Sequence, residues 1–234
     1  MQMLQKLMFL ISLLIIVYGD INAQDTQQIQ ISFRPVYQGC ALTIDLESDI
    51  KLDSTDVVID LFRCYISNLE FVNKKRTVFY EKDSYHLLDA EKLETLSFSL
   101  EIKEEMSYDS IRFMIGIDSL TSISGAMSGD LDPTKGMFWA WNTGYIFFKL
   151  EGTSPICKTR KNRFVYHLGG YDGLYAAQQW VTLPVLNNNH INIMIDLDDY
   201  IQKVDLIVLP NLMSPGKNTF KYSQFASSIF KIIK

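Results

Sequence analysis

The sequence predicts an all-β fold: an antiparallel β-sandwich or barrel-like domain with a short C-terminal helix. Three observations predict it. Apolar and polar residues alternate in run after run. The runs are short and separated by polar turns. A stripe with helical spacing occurs once, in the last residues.

Taken in order, residues 1–23 read as a secretory signal. Lys6 gives the positive start, Leu7 to Val17 the apolar run, and Ile21-Asn22-Ala23 a small residue before cleavage ahead of Gln24. The apolar run is shorter than the roughly 20 residues of a membrane span. The chain is therefore expected in the periplasm or cell envelope of a Gram-negative bacterium, with residues 24–234 as a single β-rich domain. Strands are expected over 29–33, 57–71, 77–80 and 85–88. Leu96, Phe98, Leu100 and Ile102 alternate with polar neighbours, as do Ile111, Phe113, Ile115 and Ile117. Further strands are expected over 145–150 and 164–168, with a long polar, basic loop over 153–162 between them. Ile191, Ile193, Ile195 and Leu197 mark another half-buried strand. Tyr222, Phe225, Ala226, Ile229, Phe230 and Ile233 then form the helical stripe, capped by Asn218 or Thr219 after the Pro215-Gly216 break. That helix is expected to cover an edge or open end of the sheet.

The formal net charge is -5 and no basic stripe is present, which excludes ordinary nucleic-acid binding. Cys40, Cys64 and Cys157 cannot all pair within one chain, and their partners stay open. Their spacing lacks the Cys-x-x-Cys clustering of a thiolate metal site. No Gly-x-Ser-x-Gly, Gly-x-x-x-x-Gly-Lys or His-Glu-x-x-His template occurs, so the chain is not expected to be an enzyme.

The most informative stretch is 129–152, GDLDPTKGMFWAWNTGYIFFKLEG. Trp139 and Trp141 stand two positions apart, so on a strand both indoles project from one face. Met137, Phe138 and Tyr145 surround them. The segment is either a core strand with large aromatics or an aromatic wall beside a site. The three histidines, His86, His167 and His190, show no His-x-His or His-x-x-x-His spacing, so any metal site that uses them is assembled across strands. Asp118, Asp130 and Asp132, with Asp109, offer oxygen ligands suited to calcium, although no complete loop motif is present and Asp before Pro is also ordinary turn chemistry.

Several motifs occur in sequence here: Gly116-Ile117-Asp118-Ser119, Ser124-Gly125-Ala126, Leu131-Asp132-Pro133, Gly136-Met137-Phe138-Trp139-Ala140-Trp141-Asn142-Thr143-Gly144-Tyr145 and Lys149-Leu150-Glu151-Gly152. Weaker matches are Tyr85-His86-Leu87-Leu88-Asp89, His167-Leu168-Gly169-Gly170 and Met213-Ser214-Pro215-Gly216. Together they resemble the MbnP-like family of exported copper-binding proteins, related to methanotroph surface copper proteins. The resemblance implies copper acquisition, storage or handling, with histidine ligands. It also implies a tryptophan, Trp139 or Trp141, oxidised to kynurenine by a partner haem peroxidase. His86 and His167 fall in matching stretches and are the expected copper ligands, with His190 in reserve and the Met137 thioether as a soft auxiliary. Tyr145 would line the site. The three cysteines depart from the four-cysteine pattern of several bacterial relatives. The alternative from the residues alone is a non-metal carbohydrate or surface-interaction module, because aromatics on a sheet face also stack on sugars and partner proteins.

Overall fold

A computed structural model describes residues 25–44, 57–142, 144–186 and 188–233. The expected signal segment lies outside them. The elements are β1 (Thr26–Tyr37), β2 (Cys40–Ala41), β3 (Val58–Asn73), β4 (Arg76–Tyr80), β5 (Tyr85–Asp89), β6 (Ser97–Lys103) and β7 (Ser110–Ile115), then α1 (Ser119–Ile123), β8 (Phe138–Trp139), β9 (Gly144–Thr153), β10 (Arg163–Gly169), β11 (Gln179–Pro184) and β12 (His190–Asp196), and finally α2 (Leu197–Lys203), β13 (Asn211–Leu212), α3 (Lys217–Ser227) and β14 (Phe230–Ile232).

The fold is all-β in character, with two packed sheets. In the smaller sheet, β1 has β12 on one edge and β6 and β2 on the other, and β14 lies outside β12. The β1–β12 pair is parallel, running from Gln30 opposite His190 to Val36 opposite Asp196. That pair and β10 with β13 are the parallel ones in a fold whose other strand pairs are antiparallel, as the sequence predicts. Period-two alternation specifies a strand and its buried face but not its direction, and no hairpin ties β1 to β12.

The larger sheet is organised by β3, a 16-residue strand that serves four neighbours along its length. Cys64 lies between Leu88 of β5 and Phe148 of β9, while Ile66 lies between His86 of β5 and Ile115 of β7. β9 and β7 thus follow one another along one edge of β3, and β5 and β4 along the other. β10 extends the sheet beyond β9, and β11 beyond β7.

Both faces of this sheet are covered. Phe62, Cys64 and Ile66 of β3, Phe113 of β7, Phe148 of β9 and Leu168 of β10 meet Ile31, Phe33, Ile191 and Ile193 of the smaller sheet in the main core. Phe33 and Phe113 meet edge to face at 5.8 Å between ring centroids. The alternate residues, Tyr65 of β3, Leu87 of β5 and Phe147 of β9, turn outward into a second apolar layer with Ile117, Leu131, Met137, Trp139, Tyr145 and Ala177. A one-residue slip of β3 would exchange Cys64 and Tyr65 between these layers, and that difference in fit specifies its register.

The C-terminal stripe divides in a way its spacing did not reveal. α3 ends at Ser227, and Phe230 belongs to β14. Gly216 occupies the cap position without a side-chain bond, and Thr219 Oγ1 instead donates to the Ser214 carbonyl. Tyr222 packs on Tyr166 of β10 at 5.4 Å, so the helix docks on its own sheet. All three cysteines are free thiols, with Cys40 exposed and Cys64 and Cys157 buried. Burial pushes the Cys64 thiol far above its ordinary pKa, which suits a core residue rather than a thiolate ligand.

Candidate functional site

Segment 116–142 folds back over the outer face of the larger sheet and forms a roof on it. Gly116 makes the turn possible. Its φ is +119°, and a Cβ there would lie 2.9 Å from the Phe147 ring. Asp118 then caps α1 by accepting from the Thr121 N–H at 2.9 Å, and it takes a second bond from the Tyr85 hydroxyl at 2.6 Å. Burial opposes ionisation of Asp118, but these bonds hold its carboxyl below the ordinary value. Asp132 begins the next short helical turn by accepting from both the N–H and the hydroxyl of Thr134. Asp130 accepts from the Leu87 N–H at 3.0 Å and pairs with Lys135. The three carboxylates expected for calcium are therefore engaged separately, Asp118 and Asp132 in their own turns and Asp130 with β5 and Lys135. Asp109, on another loop, accepts from the Lys74 N–H and the Ser110 hydroxyl.

The aromatic wall forms beneath this roof. Tyr145 stands at its centre: its hydroxyl lies 3.0 Å from the Leu131 carbonyl and 3.1 Å from that of Gly125, and it accepts from the Met127 N–H. Tyr65 and Phe138 meet its ring edge to face at 6.0 and 5.1 Å. Met137 is fully buried in the same layer. The two indoles are adjacent, with centroids 5.5 Å apart and planes at 43°. They do not share a strand face as expected, because β8 ends at Trp139 and Trp141 lies in the following turn. Their environments differ sharply: Trp139 is 4% exposed and Trp141 is 64% exposed. Among the described residues the Trp139 Nε1–H is buried without a partner, a costly state for an indole donor. Its six-membered ring presses on Gly169, where a Cβ would lie 2.9 Å from Trp139 Cζ3 and 2.4 Å from the Tyr145 carbonyl.

Beside the wall runs a ladder of charges on the same face. Arg63, Lys149 and His167 are consecutive cross-strand partners on β3, β9 and β10. Arg63 Nε lies 2.9 Å from Asp89 Oδ2, an ion contact outside hydrogen-bond geometry, and its Nη2 pairs with Glu91. Glu151, two residues beyond Lys149, lies 2.9 Å from His167 Nε2 through Oε1 and 3.1 Å from Arg163 Nη2 through Oε2. The His167 bond, helped by the electrostatic pull of His167 and Lys149 and by the Arg163 hydrogen bond, overcomes burial and lowers the Glu151 pKa to about 2.

The expected ligands are distributed by strand parity. His167 lies on the outer face, two residues from the Gly169 on which Trp139 rests. His86 pairs with Ile66 and turns inward, stacked on Phe98 of the smaller sheet at 3.6 Å and 3°. Its Nε2 lies 2.9 Å from Glu81. The structure does not bring His86 and His167 together, because odd and even positions of β3 face opposite layers. His190 is exposed at the start of β12 in the other sheet. Met137, Trp139 and Tyr145 share the outer layer, Trp141 touches Trp139, and His167 lies on β10 two residues from Gly169, on which Trp139 rests.

As a metal site this set is incomplete. Imidazole suits copper, and His167 supplies one. Among the described residues no three His, Cys, Asp or Glu side chains converge in a way that could hold an ion. A metal seated here would take His167 and draw its other donors from groups outside those four types. Glu151 and Gly169, which shape the site, were present in the sequence motifs but had no assigned role. Lys149-x-Glu151 alternation was the available signal, since it places both side chains on one face.

Comparison with known proteins adds three findings. The MbnP family model matches residues 26–214. Among solved structures, the chain is similar to "MbnP from Methylosinus trichosporium", with 14% identity, a TM-score of 0.56, and coverage of 81% of this chain and 83% of that one. At that identity the likeness speaks to the fold. No curated protein matches.

Proposed function

Because this chain belongs to the MbnP family, we propose that it is an exported copper-handling protein whose metal site is centred on His167 and the Trp139–Trp141 pair. It acts by binding rather than by catalytic turnover. The observation that carries the reading is the placement of a carboxylate-bound imidazole two residues from the glycine that supports a buried indole, all within the outer face. His86 is not a ligand in this reading, since Phe98 covers its ring and Glu81 holds its Nε2. The oxidised indole is Trp141. Conversion to kynurenine cleaves the C2–C3 bond with two oxygen atoms delivered from peroxide by a haem peroxidase partner, and hydrolysis then releases C2 as formate; this needs access by the partner and room for the product. Trp141 has both, whereas Trp139 is wedged against Gly169. The aromatic amine so formed would supply a nitrogen donor that the unmodified set lacks. Among the described residues no helix is long and apolar enough to cross a membrane.

The test is elemental analysis of protein isolated from its own host, with His167→Ala and His86→Ala compared. Copper is expected at about one per chain, falling at least about tenfold in affinity in His167→Ala and little in His86→Ala. Full copper retention in His167→Ala would refute the assignment. A second reading, a carbohydrate or surface-binding module, draws on a different feature: Trp180 is 42% exposed, with the Arg112 guanidinium 4.1 Å above its ring. Metal-independent quenching of tryptophan fluorescence by soluble glycans, lost in Trp180→Ala, would favour it.

A further inference from the structure

We propose that the basic turn after β9, residues 154–162, and the turn before β13, residues 205–209, together form a docking surface for the anionic phospholipid face of a bilayer. This surface lies outside the indole site and goes beyond the copper reading.

Between Thr153 and Arg163 the chain carries four cations and no acid, in a protein whose formal net charge is -5. Arg163 is neutralised by Asp60 and Glu151. Lys158, Arg160 and Lys161 are exposed, and among the described residues none of them has an ion-pair partner. The turn holds them in place. Cys157 is buried in the main core and bonds through its N–H to the Ser154 carbonyl at 3.0 Å, while the Ser154 N–H reaches the Asn162 carbonyl at 2.9 Å. Lys161 and Asn162 both take left-handed backbone, with φ of +59° and +54°, a conformation that residues other than glycine adopt at a cost.

Aliphatic side chains stand beside these cations. Ile156 is 50% exposed although Cys157 next to it is buried. In the second turn Asp205 Oδ1 accepts from the N–H groups of Ile207 and Val208 at 3.0 and 2.9 Å. That pins both residues outside, 54% and 79% exposed, while Leu206 is buried. Asp205 is the one acid within the two turns. The turns adjoin at Tyr166, whose hydroxyl donates to the Leu209 carbonyl at 3.1 Å and feels both Cys157 and Asp205 electrostatically. Aliphatic tips flanked by cations suit a membrane interface, where the tips enter the acyl boundary and the cations meet lipid phosphates. A soluble polyanion would engage the cations and leave the tips in water, so the combination selects a lipid surface. Gly169, on which Trp139 rests, lies at the far end of β10, about 20 Å along the strand from Arg163. Docking at the basic end therefore leaves the indoles clear of the bilayer.

The test is co-sedimentation of protein isolated from its own host with vesicles of phosphatidylglycerol and phosphatidylcholine, compared with phosphatidylcholine alone. Binding to the anionic vesicles is expected, weakening as salt rises and at least about tenfold stronger than on phosphatidylcholine. Lys158→Ala, Arg160→Ala and Lys161→Ala combined should weaken it about 100-fold, since each cation near an anionic surface contributes about fivefold. Ile207→Ser with Val208→Ser should weaken it at least about tenfold and keep the salt dependence. All five side chains are exposed, so both variants should keep the wild-type circular dichroism spectrum. Equal binding of the wild-type chain to both vesicle types would overturn the proposal without any variant having to fold. Undiminished binding in either folded variant would also overturn it. So would capture of soluble polyglutamate without sedimentation on vesicles, which would assign the cations to an acidic polypeptide instead.

Discussion

Gly169 is the tightest point of the site and gives the sharpest test of its packing. An added Cβ would lie 2.4 Å from the Tyr145 carbonyl oxygen and 2.9 Å from Trp139 Cζ3. Neither neighbour yields easily. The carbonyl belongs to β9, where Gly169 is paired opposite Ile146, and the indole is almost fully buried. Overpacking a core position costs about 1–3 kcal/mol, and two such contacts, one to backbone, place Gly169→Ala near about 3 kcal/mol. Gly144→Ala is the control. Its Cβ would meet the Tyr171 ring at 3.4 and 3.6 Å, ordinary contact, for a cost below about 1 kcal/mol. Urea unfolding followed by far-ultraviolet circular dichroism measures both. Trp139→Phe in the Gly169→Ala background removes Cζ3 but leaves the carbonyl contact, so the two substitutions should couple by about 1 kcal/mol rather than add. A Gly169→Ala protein within about 0.5 kcal/mol of wild type, or strict additivity with Trp139→Phe, would refute the close packing of indole on strand.

Glu151 makes stability depend on pH. Its folded pKa is lowered to about 2 from 4.5, so its contribution is fully present above pH 4.5 and is lost as pH falls toward 2. The loss should be about 3 kcal/mol and absent in Glu151→Gln; parallel acid profiles would count against it. Mass spectrometry of host-isolated protein should find the peptide modification at Trp141, with one oxygen more and one carbon fewer, and Trp139 intact; the reverse would overturn the accessibility argument. A thiol reagent should label Cys40 alone in the native chain and all three cysteines in denaturant, and native labelling of Cys64 would contradict its place in the core.

Much of the fold was legible because alternation reports a buried face directly. The runs around Ile31, Phe98, Phe113 and Ile193 all became strands with those residues in or against the main core. What stayed hidden depends on partners rather than on the run itself. β12 lies parallel to β1, and β14 interrupts a stripe that a helix alone explains equally well, because Phe230 pairs opposite Ile195. The site was legible in part. Trp139, Tyr145 and Met137 share a layer, and His167 lies two residues from the glycine on which Trp139 rests. His86 does not join them, since a single histidine in a short strand carries no mark of which face it takes. Only its pairing with Ile66, one residue from Tyr65, settles that.

The spacing within the motif block also acquires a cause. Arg63 and Lys149 are direct cross-strand partners, and like charges so placed repel. Each is offset by its own carboxylates, Asp89 and Glu91 for Arg63 and Glu151 for Lys149. Each also donates to a roof carbonyl, Arg63 to Lys135 and Lys149 to Gly136, both at 3.0 Å. Lifting the roof would leave two adjacent cations without those acceptors, so the charge ladder favours the closed arrangement that covers Trp139. Gly136 turns the chain beside both cations with a φ of +70°, in the left-handed region that glycine adopts without strain. Gly152 closes the block for a steric reason, with a Cβ position only 2.0 Å from the Val58 carbonyl. The stretch from Gly136 to Gly152 is therefore one folded unit in which a loop is clamped by the strand that follows it. The carboxylate that neutralises the clamp at Lys149 is the same one that holds His167, so closure of the roof and orientation of the imidazole are linked through Glu151.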